Sequence, residues 1–521
     1  MKPERVLALI LVAVCAPLYI SHTITVMRPN DPTGYVYAGM RIRAGAQPTY
    51  RDDNDALVGP YFSLNAFKVR IGQDESVSYL NYSPGLPLLL AAGLLSVPVP
   101  TLIYYVVPCM GVIGVAATFA LGNVLVNARV GLLSAILVAF SPIYLKFGTE
   151  TWSDVPAMTF VLLGSTAMII SIRRHRLGWG LMAGCLLGYA FLIRYPNVVV
   201  LLPLGLYVCL EHRLESAKSK GVQGLLLGLG LAMLAVLLFN RVYYGGFLTT
   251  GYTAKHGWAP WAAFSLEYLL GDTPKGAGTA LLATGETLLS AFAYSWPLMV
   301  VGLLLMPRRT GAFLAGICIA FIAPYSVYRS PARGINSRLL MTVFPAVAIM
   351  IAYGVERTIS LVSAPRGKHF ALALGLALTL VLSLPPLPSA LAGLRKRNEW
   401  AARRVQWTVE FTACTDPNSV FVSSEYDDWV RVYGHRSALN PTRVAVPDAS
   451  GEGYDERRFE PALIAAVDTL LSNEIPVYYI DDRVPEHMSF MHTYEVLSRH
   501  YELSIYRDRN PTVYEIKSKQ L

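Results

Sequence analysis

Between residues 6 and 387 the chain is a succession of apolar blocks separated by short polar gaps. Most blocks approach the ~20 residues a helix needs to cross the hydrocarbon core of a bilayer. This pattern constrains the fold more than any other feature. Backbone N–H and C=O groups in lipid must be satisfied by the segment itself, and only helices and closed barrels achieve that. The expected spans are 6–26, 101–125, 131–147, 154–172, 178–194, 197–211, 221–239, 281–306, 311–327, 338–357 and 369–387. Residues 178–211 read as two short helices broken at Arg194-Tyr195-Pro196, because a proline disfavours helix in the residue before it. Residues 84–97 are apolar but stop at Pro98 and Pro100, so a partly buried helix that does not cross is expected there. Composition agrees: of 521 residues, 54% are hydrophobic and 15% charged, whereas a soluble domain carries about a quarter charged residues. Lys2 and Arg5 precede an apolar run as in a secretory signal, but no A-x-A site follows and Val14 precedes Cys15. The segment therefore reads as a retained first span.

Eleven spans with the N-terminus inside leave the C-terminus outside, and the positive-inside rule tests that alternation independently. The gaps expected inside carry Arg129, then Arg173-Arg174-His175-Arg176, then Arg213, Lys218 and Lys220, then Arg308-Arg309, then Arg366 and Lys368. The exception is the outer loop 27–83, with Arg28, Arg41, Arg43, Arg51, Lys68 and Arg70. It approaches the length beyond which charge stops controlling orientation, and an outward site that handles a phosphate wants such residues. The net charge of +9 is thus topogenic, and no nucleic-acid-binding module accompanies it. Cys15, Cys109, Cys185, Cys209 and Cys318 fall inside apolar blocks and only Cys414 in a polar region, which is neither a disulfide framework nor a metal spacing.

From about Leu391 the composition turns polar. Strand-like runs at 419–423, 477–480, 503–506 and 512–516 alternate with helical patterns at 425–433, 459–473 and 488–499, which predicts a small α/β domain. The expected organisation is a helical polytopic membrane domain over 1–390, with re-entrant or juxtamembrane helices in loop 27–83, and a soluble α/β extracytoplasmic domain over 391–521.

Candidate chemistry gathers at the expected outer ends of the spans. Asp31 stands in Asn30-Asp31-Pro32-Thr33-Gly34-Tyr35, just past the first span. An acid at the membrane boundary must pair with a cation or serve chemistry there, although Asn-Asp-Pro also suits a simple turn. Glu150 and Asp154 lie on the next short outer loop, where Asp154 is equally suited to cap a helix. Arg194 interrupts the apolar hairpin, either snorkelling or serving a site. Lys255 and His256 lie on a later outer loop, followed by Arg329, Arg333 and Arg338 within ten residues. Acids early and bases late suit glycosyl transfer from a lipid-linked sugar phosphate. A carboxylate takes the proton from an acceptor hydroxyl as it attacks the sugar C1, and cations stabilise the departing phosphate.

These residues make the chain resemble the polytopic GT-C glycosyltransferases, above all the group of protein O-mannosyltransferases and bacterial aminoarabinose transferases. The matching pieces are Asp31 with Gly34-Tyr35, Tyr82-Ser83-Pro84-Gly85-Leu86-Pro87-Leu88, Leu192-Ile193-Arg194-Tyr195-Pro196, Asn240 with Gly251-Tyr252, and Ser337-Arg338-Leu339-Leu340 with Phe344-Pro345-Ala346. The stretch from Tyr426 to Gly434 is also similar to outer domains of bacterial members. The resemblance implies a GT-C-like catalytic domain over 1–390, a polyprenyl-phosphate-linked sugar donor and inversion of the anomeric centre. It implies a multi-pass protein of the bacterial plasma membrane, with its site facing outside. It places Asp31 where the catalytic acid lies, Asp154 where a second acid is found, and Arg338 near the donor phosphate. Arg333, Lys255 and Arg194 are further candidates for the phosphate, and Asp154, Glu150, His256 and Tyr82 for the acceptor or a metal. Protein O-mannosyltransferases commonly carry Asp-Glu at the first acid, whereas Pro32 follows Asp31 here, which leaves a lipid, glycan or protein acceptor open. The spacing of Asp31, Glu150, Asp154 and His256 neither requires nor excludes a divalent metal.

The rival classes are a lipid or solute transporter and a non-catalytic membrane scaffold or sensor. Transporters also carry intramembrane charge and broken helices, but no two-fold repeat is evident here and the polar residues gather on one side. A scaffold would leave the acids scattered. Orientation is directly testable. With Cys414 replaced by serine, a cysteine engineered within 440–460 should react with an impermeant maleimide in intact cells; labelling only after lysis overturns the topology.

Overall fold

The computed structural model describes residues 2–71, 74, 76–94, 100–212, 219–256, 264–271, 279–292, 295–328, 334–363, 367–444, 456–481, 492–508 and 511–519. They divide into two compact units. One comprises Met1–Thr25, Ser83–Thr249 and Trp258–Asn398; the other comprises Val26–Tyr82, Thr250–Gly257 and Glu399–Leu521.

In the first unit each expected span meets a helix or a bent pair of helices. Pro3–Ser21, Thr101–Leu125, Asp154–Arg174, Lys220–Tyr244 and Asn336–Leu361 are each long and apolar enough to cross a membrane. Among the described residues, up to eight crossings result if each of three bent pairs is one span, one of these pairs being Ala128–Ala139 with Pro142–Gly148, bent by 70°. The chain is an integral membrane protein. The expected number of eleven stands above this count partly because Leu177–Ile193 and Tyr195–Glu211 are short apolar helices. Leu177–Ile193, with 17 residues, extends only about 26 Å at 1.5 Å per residue. The break between the two helices falls where the sequence put it, with Arg194 extended at φ −148° and ψ 110°. Gly85–Leu94 is a helix of ten residues, about 15 Å long and too short to cross. A Cβ on Gly85 would stand 2.5 Å from the backbone of Leu192 and Ile193, so this helix begins directly against the break.

Helices in lipid gain no hydrophobic drive from one another, so small residues that let backbones touch dominate their contacts. Leu177–Ile193 and Lys220–Tyr244 pack in this way. A Cβ on Gly180 would lie 2.1 Å from the Gly221 carbonyl oxygen, and one on Gly184 would lie 2.3 Å from that of Leu225.

The second unit holds a hairpin of β1 (Thr49–Arg51) and β2 (Val77–Tyr79) and a five-stranded mixed sheet. Its strands are β3 (Val420–Val422), β4 (Ser437–Leu439), β5 (Val477–Asp481), β6 (Tyr501–Arg507) and β7 (Thr512–Ser518), in the order β4-β3-β5-β7-β6. β3 runs parallel to β4 and β5, and the remaining pairs are antiparallel. Parallel neighbours need crossovers, which are supplied by the helices Asp427–Tyr433 and Glu456–Ser472. The latter turns Phe459, Leu463, Val467 and Leu470 into the core with Val420, Val422 and Val477. The short strand β4 carries no pattern that the sequence reading recognised.

Two expectations need revision. The boundary at 390/391 falls inside the helix Leu387–Thr412. The loop 27–83 groups with the C-terminal residues instead of the membrane helices, because Phe62 is fully buried in the same apolar cluster as Val420, Leu439 and Leu463. A glycine contrast tests the helix packing. Gly184→Ala should lower unfolding stability in detergent by about 1–3 kcal/mol through backbone overlap. Gly230→Ala, with open space around it, should be neutral or stabilising by up to ~1 kcal/mol, since alanine favours helix over glycine.

Candidate active site

Asp154 opens the helix Asp154–Arg174, where the helix dipole favours a carboxylate. Its side chain does not cap the helix. It accepts a hydrogen bond from Arg194 Nη1 through Oδ1, and its Oδ2 lies 3.6 Å from Arg338 Nη1. Arg194 reaches it because Pro196 ends the preceding helix and leaves Arg194 extended. Arg338 comes from the 3₁₀ segment Gly334–Val343. Its guanidinium carbon stands 4.2 Å from the centroid of the Trp152 ring, within cation–π range. Trp152 Nε1 donates to Glu150 Oε2 at 2.8 Å, and Glu150 Oε1 is 2.8 Å from Arg397 Nη1. Both carboxylates are 1% exposed. Burying a charge is costly unless it is paired, and each acid here has its cation. Asp154 faces two guanidiniums, so the cluster keeps an excess of positive charge, which suits an anion.

Arg194, Asp154 and Arg338 line a crevice with Asn197, Tyr325 and Thr342. A larger cavity of about 560 Å³ in the same unit is lined by Lys146, Glu286, Ser290, Ser337, Leu394 and Arg397.

Asp31 belongs to the second unit. It is the first residue of the helix Asp31–Arg43, with Pro32 in the first turn, where a missing N–H has no helical partner to lose. Asn30 before it has φ 69° and ψ −132°, a region that non-glycine residues enter at a cost of about 1–3 kcal/mol. Gly34 packs so closely on Ala66 that a Cβ would lie 2.0 Å from the alanine methyl. Asp31 is half-buried and hydrogen-bonded to Tyr82. The Tyr82 ring lies 5.5 Å from Tyr35 and 6.3 Å from Tyr252, centroid to centroid. Burial pushes the Tyr82 hydroxyl well above the ordinary tyrosine range, and the adjacent Asp31 pushes it further. The phenol therefore stays protonated and donates to the carboxylate, leaving Asp31 as acceptor.

The sequence reading missed a buried polar cluster in this unit. Asp427 and Asp428 begin the helix Asp427–Tyr433 and are each 1% exposed. Arg431 Nη1 lies 3.0 Å from Asp427 Oδ2 and 3.4 Å from Asp428 Oδ1. Asp428 accepts the backbone N–H of Asn30 and that of Asn65, each at 3.0 Å. Arg443 Nη2 donates to Asn65 Oδ1 at 3.1 Å. Burial, followed by the neighbouring Asp427 charge, pushes the Asp428 carboxyl above the usual range, and Arg431 opposes this. The available signal was the doubled acid between two strands, in the stretch Tyr426 to Gly434.

Of the expected site residues, the structure joins Asp154, Arg194, Arg338 and Glu150 in one network, and Asp31 with Tyr82 in another. Lys255 and His256 fall in the short helix Gly251–His256; their side chains, and Arg333 altogether, lie outside the described residues. Among the described residues no three His, Cys, Asp or Glu side chains converge to hold a metal ion.

Residues 87–239, which include Glu150, Asp154 and Arg194, match the family described as dolichyl-phosphate-mannose-protein mannosyltransferase. No curated protein sequence matches the chain. The fold is similar to that of the oligosaccharyltransferase AglB from Archaeoglobus fulgidus, solved with an inhibitory peptide and a dolichol-phosphate. The identity is 13%, the match covers 100% of this chain and 75% of that one, and the TM-score is 0.60. It is also similar to ArnT from Cupriavidus metallidurans bound to undecaprenyl phosphate, at 12% identity over 97% of both chains with TM-score 0.54. Both are GT-C glycosyltransferases, so the resemblance read from the sequence holds at the level of fold.

Removing the shared acid tests the network. Asp154→Asn would leave two half-buried guanidiniums without their counter-charge, and breaking a buried pair costs about 3–5 kcal/mol. A lower unfolding midpoint in detergent is the expected outcome. An unchanged midpoint would mean that the three side chains do not hold one another.

Proposed function

We propose that the chain is a membrane glycosyltransferase that moves a sugar from a polyprenyl-phosphate-linked donor to an extracytoplasmic lipid, glycan or protein acceptor. The observation that carries this reading is the likeness of fold over 97% of both chains to a protein bound to undecaprenyl phosphate. In this reading Asp31 is the general base. It takes the proton of the acceptor hydroxyl as the oxygen attacks C1 of the sugar, the C1–O bond to the lipid phosphate breaks, and the anomeric centre inverts. Tyr82, held protonated, orients the carboxylate.

Negative charge develops on the departing phosphate, and preorganised cations there lower the barrier most. Arg338 and Arg194, assisted by Arg333 and Lys255, take that role. Asp154 fixes the direction of both guanidiniums without neutralising them. Glu150 and His256 are left to the acceptor side or to a divalent metal. The protein crosses a bacterial plasma membrane eleven times with the reaction on its outer face. That count is supported by the helix or bent pair found at every expected span.

Purified protein assayed against a panel of radiolabelled polyprenyl-phosphate sugars identifies the donor. Asp31→Asn should then bind donor nearly normally while turnover falls by ~10²–10⁴, the usual contribution of a general base. Guanidinium contacts with phosphate are planar and bidentate, so Arg338→Lys should use donor poorly and Arg338→Ala more poorly still. An Asp31→Asn enzyme within a few-fold of wild type would remove Asp31 from the mechanism.

A further inference from the structure

The helix Asp427–Tyr433 holds the four residues that lead into Asp31 at both ends. Met27 donates its backbone N–H to the Tyr433 hydroxyl, and Asn30 donates its own to Asp428 Oδ2 at 3.0 Å. The second Asp428 oxygen, Oδ1, accepts the Asn65 N–H at 3.0 Å, so both oxygens of one buried carboxylate are engaged by backbone donors. Arg431, itself buried, backs this carboxylate and Asp427. Asp427 is occupied otherwise: its Oδ2 accepts from Arg431 and from Asn440 Nδ2 at 2.7 Å, both its oxygens lie within 3.4 Å of Asn65 Nδ2, and among the described residues it bonds to none of 27–30. The residue gripped by Asp428 is the one whose φ of 69° asparagine adopts at a cost. Released, Asn30 would relax towards negative φ, and the first turn of the helix Asp31–Arg43 would move with it.

We infer that Asp428 is a positioning residue for Asp31: by accepting the Asn30 N–H it holds the backbone that aims the Asp31 carboxylate. The inference rests on the reading of Asp31 as general base. It assigns the C-terminal domain a part in turnover, not in folding alone. A carboxylate suits the task because it accepts on both oxygens. Asparagine would turn an N–H₂ towards one of the two backbone N–H groups.

Hydrogen exchange of peptides spanning 26–35, read without substrate, is measured together with turnover. Asp428→Asn should speed exchange there by tenfold or more. It should also lower turnover by ~10–10²-fold, the scale of an ångström-sized misplacement, with donor KM within about threefold. Asp427→Asn perturbs the same buried cluster without touching Asn30. It should lower the melting temperature yet leave exchange at 26–35 and turnover within threefold of wild type. Asn30→Gly, which accepts positive φ freely, should restore part of the turnover lost in Asp428→Asn. Should Asp428→Asn not be recovered folded, Tyr433→Phe carries the same test at the other end of the segment, with a smaller effect of the same sign. Wild-type exchange at 26–35 in Asp428→Asn, or an equal loss of turnover in Asp427→Asn, overturns the inference. Full activity of Asp31→Asn sinks the reading of Asp31 as base, whereas an inactive Asp31→Asn beside a fully active Asp428→Asn sinks only the positioning role.

Discussion

One carboxylate with two guanidiniums organises the polar end of the helical unit. Asp154 sits at 1% exposure in surroundings where an unpaired charge would be very costly. Its two oxygens therefore fix Arg194, from the break after Leu177–Ile193, and Arg338, from the 3₁₀ entry to Phe344–Ser363. Each of those local irregularities exposes backbone or shortens a helix, which a lipid-facing segment does not tolerate. At the Arg194 break the backbone is satisfied locally instead: Arg194 N–H and Asn197 Nδ2 both donate to the Ala190 carbonyl, and the Asn197 N–H donates to that of Arg194. Trp152 and Glu150 extend the ion pairing to Arg397, so that three arginines and two acids are held by one another. That cluster carries one positive charge more than its acids neutralise.

The second unit solves a different problem. Its sheet is small, and β3 has only three residues, so its core is completed by apolar residues such as Phe62 from the loop after the first span. The same association brings a buried acid, Asp428, onto the backbone just before Asp31. The contacts that complete this core and the bond that holds the Asn30 backbone belong to one unit. The helix Asp427–Tyr433 is thereby tied to Asn30, 398 positions earlier in the chain.

Much of this was legible in the chain itself. Helical spans follow from apolar block length and proline position, because a lone helix already satisfies its backbone and needs no partner to be recognised. The break at Arg194 and the strands at Val420, Val477 and Thr512 followed from the same local rules. Asp31, Asp154, Arg194 and Arg338 were visible as polar residues at the ends of apolar blocks. The two short helices blurred the span count because length alone sets that threshold. β4 and the helix running through residue 391 were not anticipated, since neither carries a distinctive period.

What the sequence by itself determined is therefore local: which segments are apolar enough for a membrane, where they must break, and which charges lie at their ends. What only the tertiary structure decided is pairing. Asp154 serves two arginines instead of capping its helix, Glu150 finds Arg397, and loop 27–83 joins the C-terminal sheet through Phe62. A buried charge or ring does not specify its partner in its neighbouring residues; the partner is chosen by whichever distant group can repay desolvation in the folded chain.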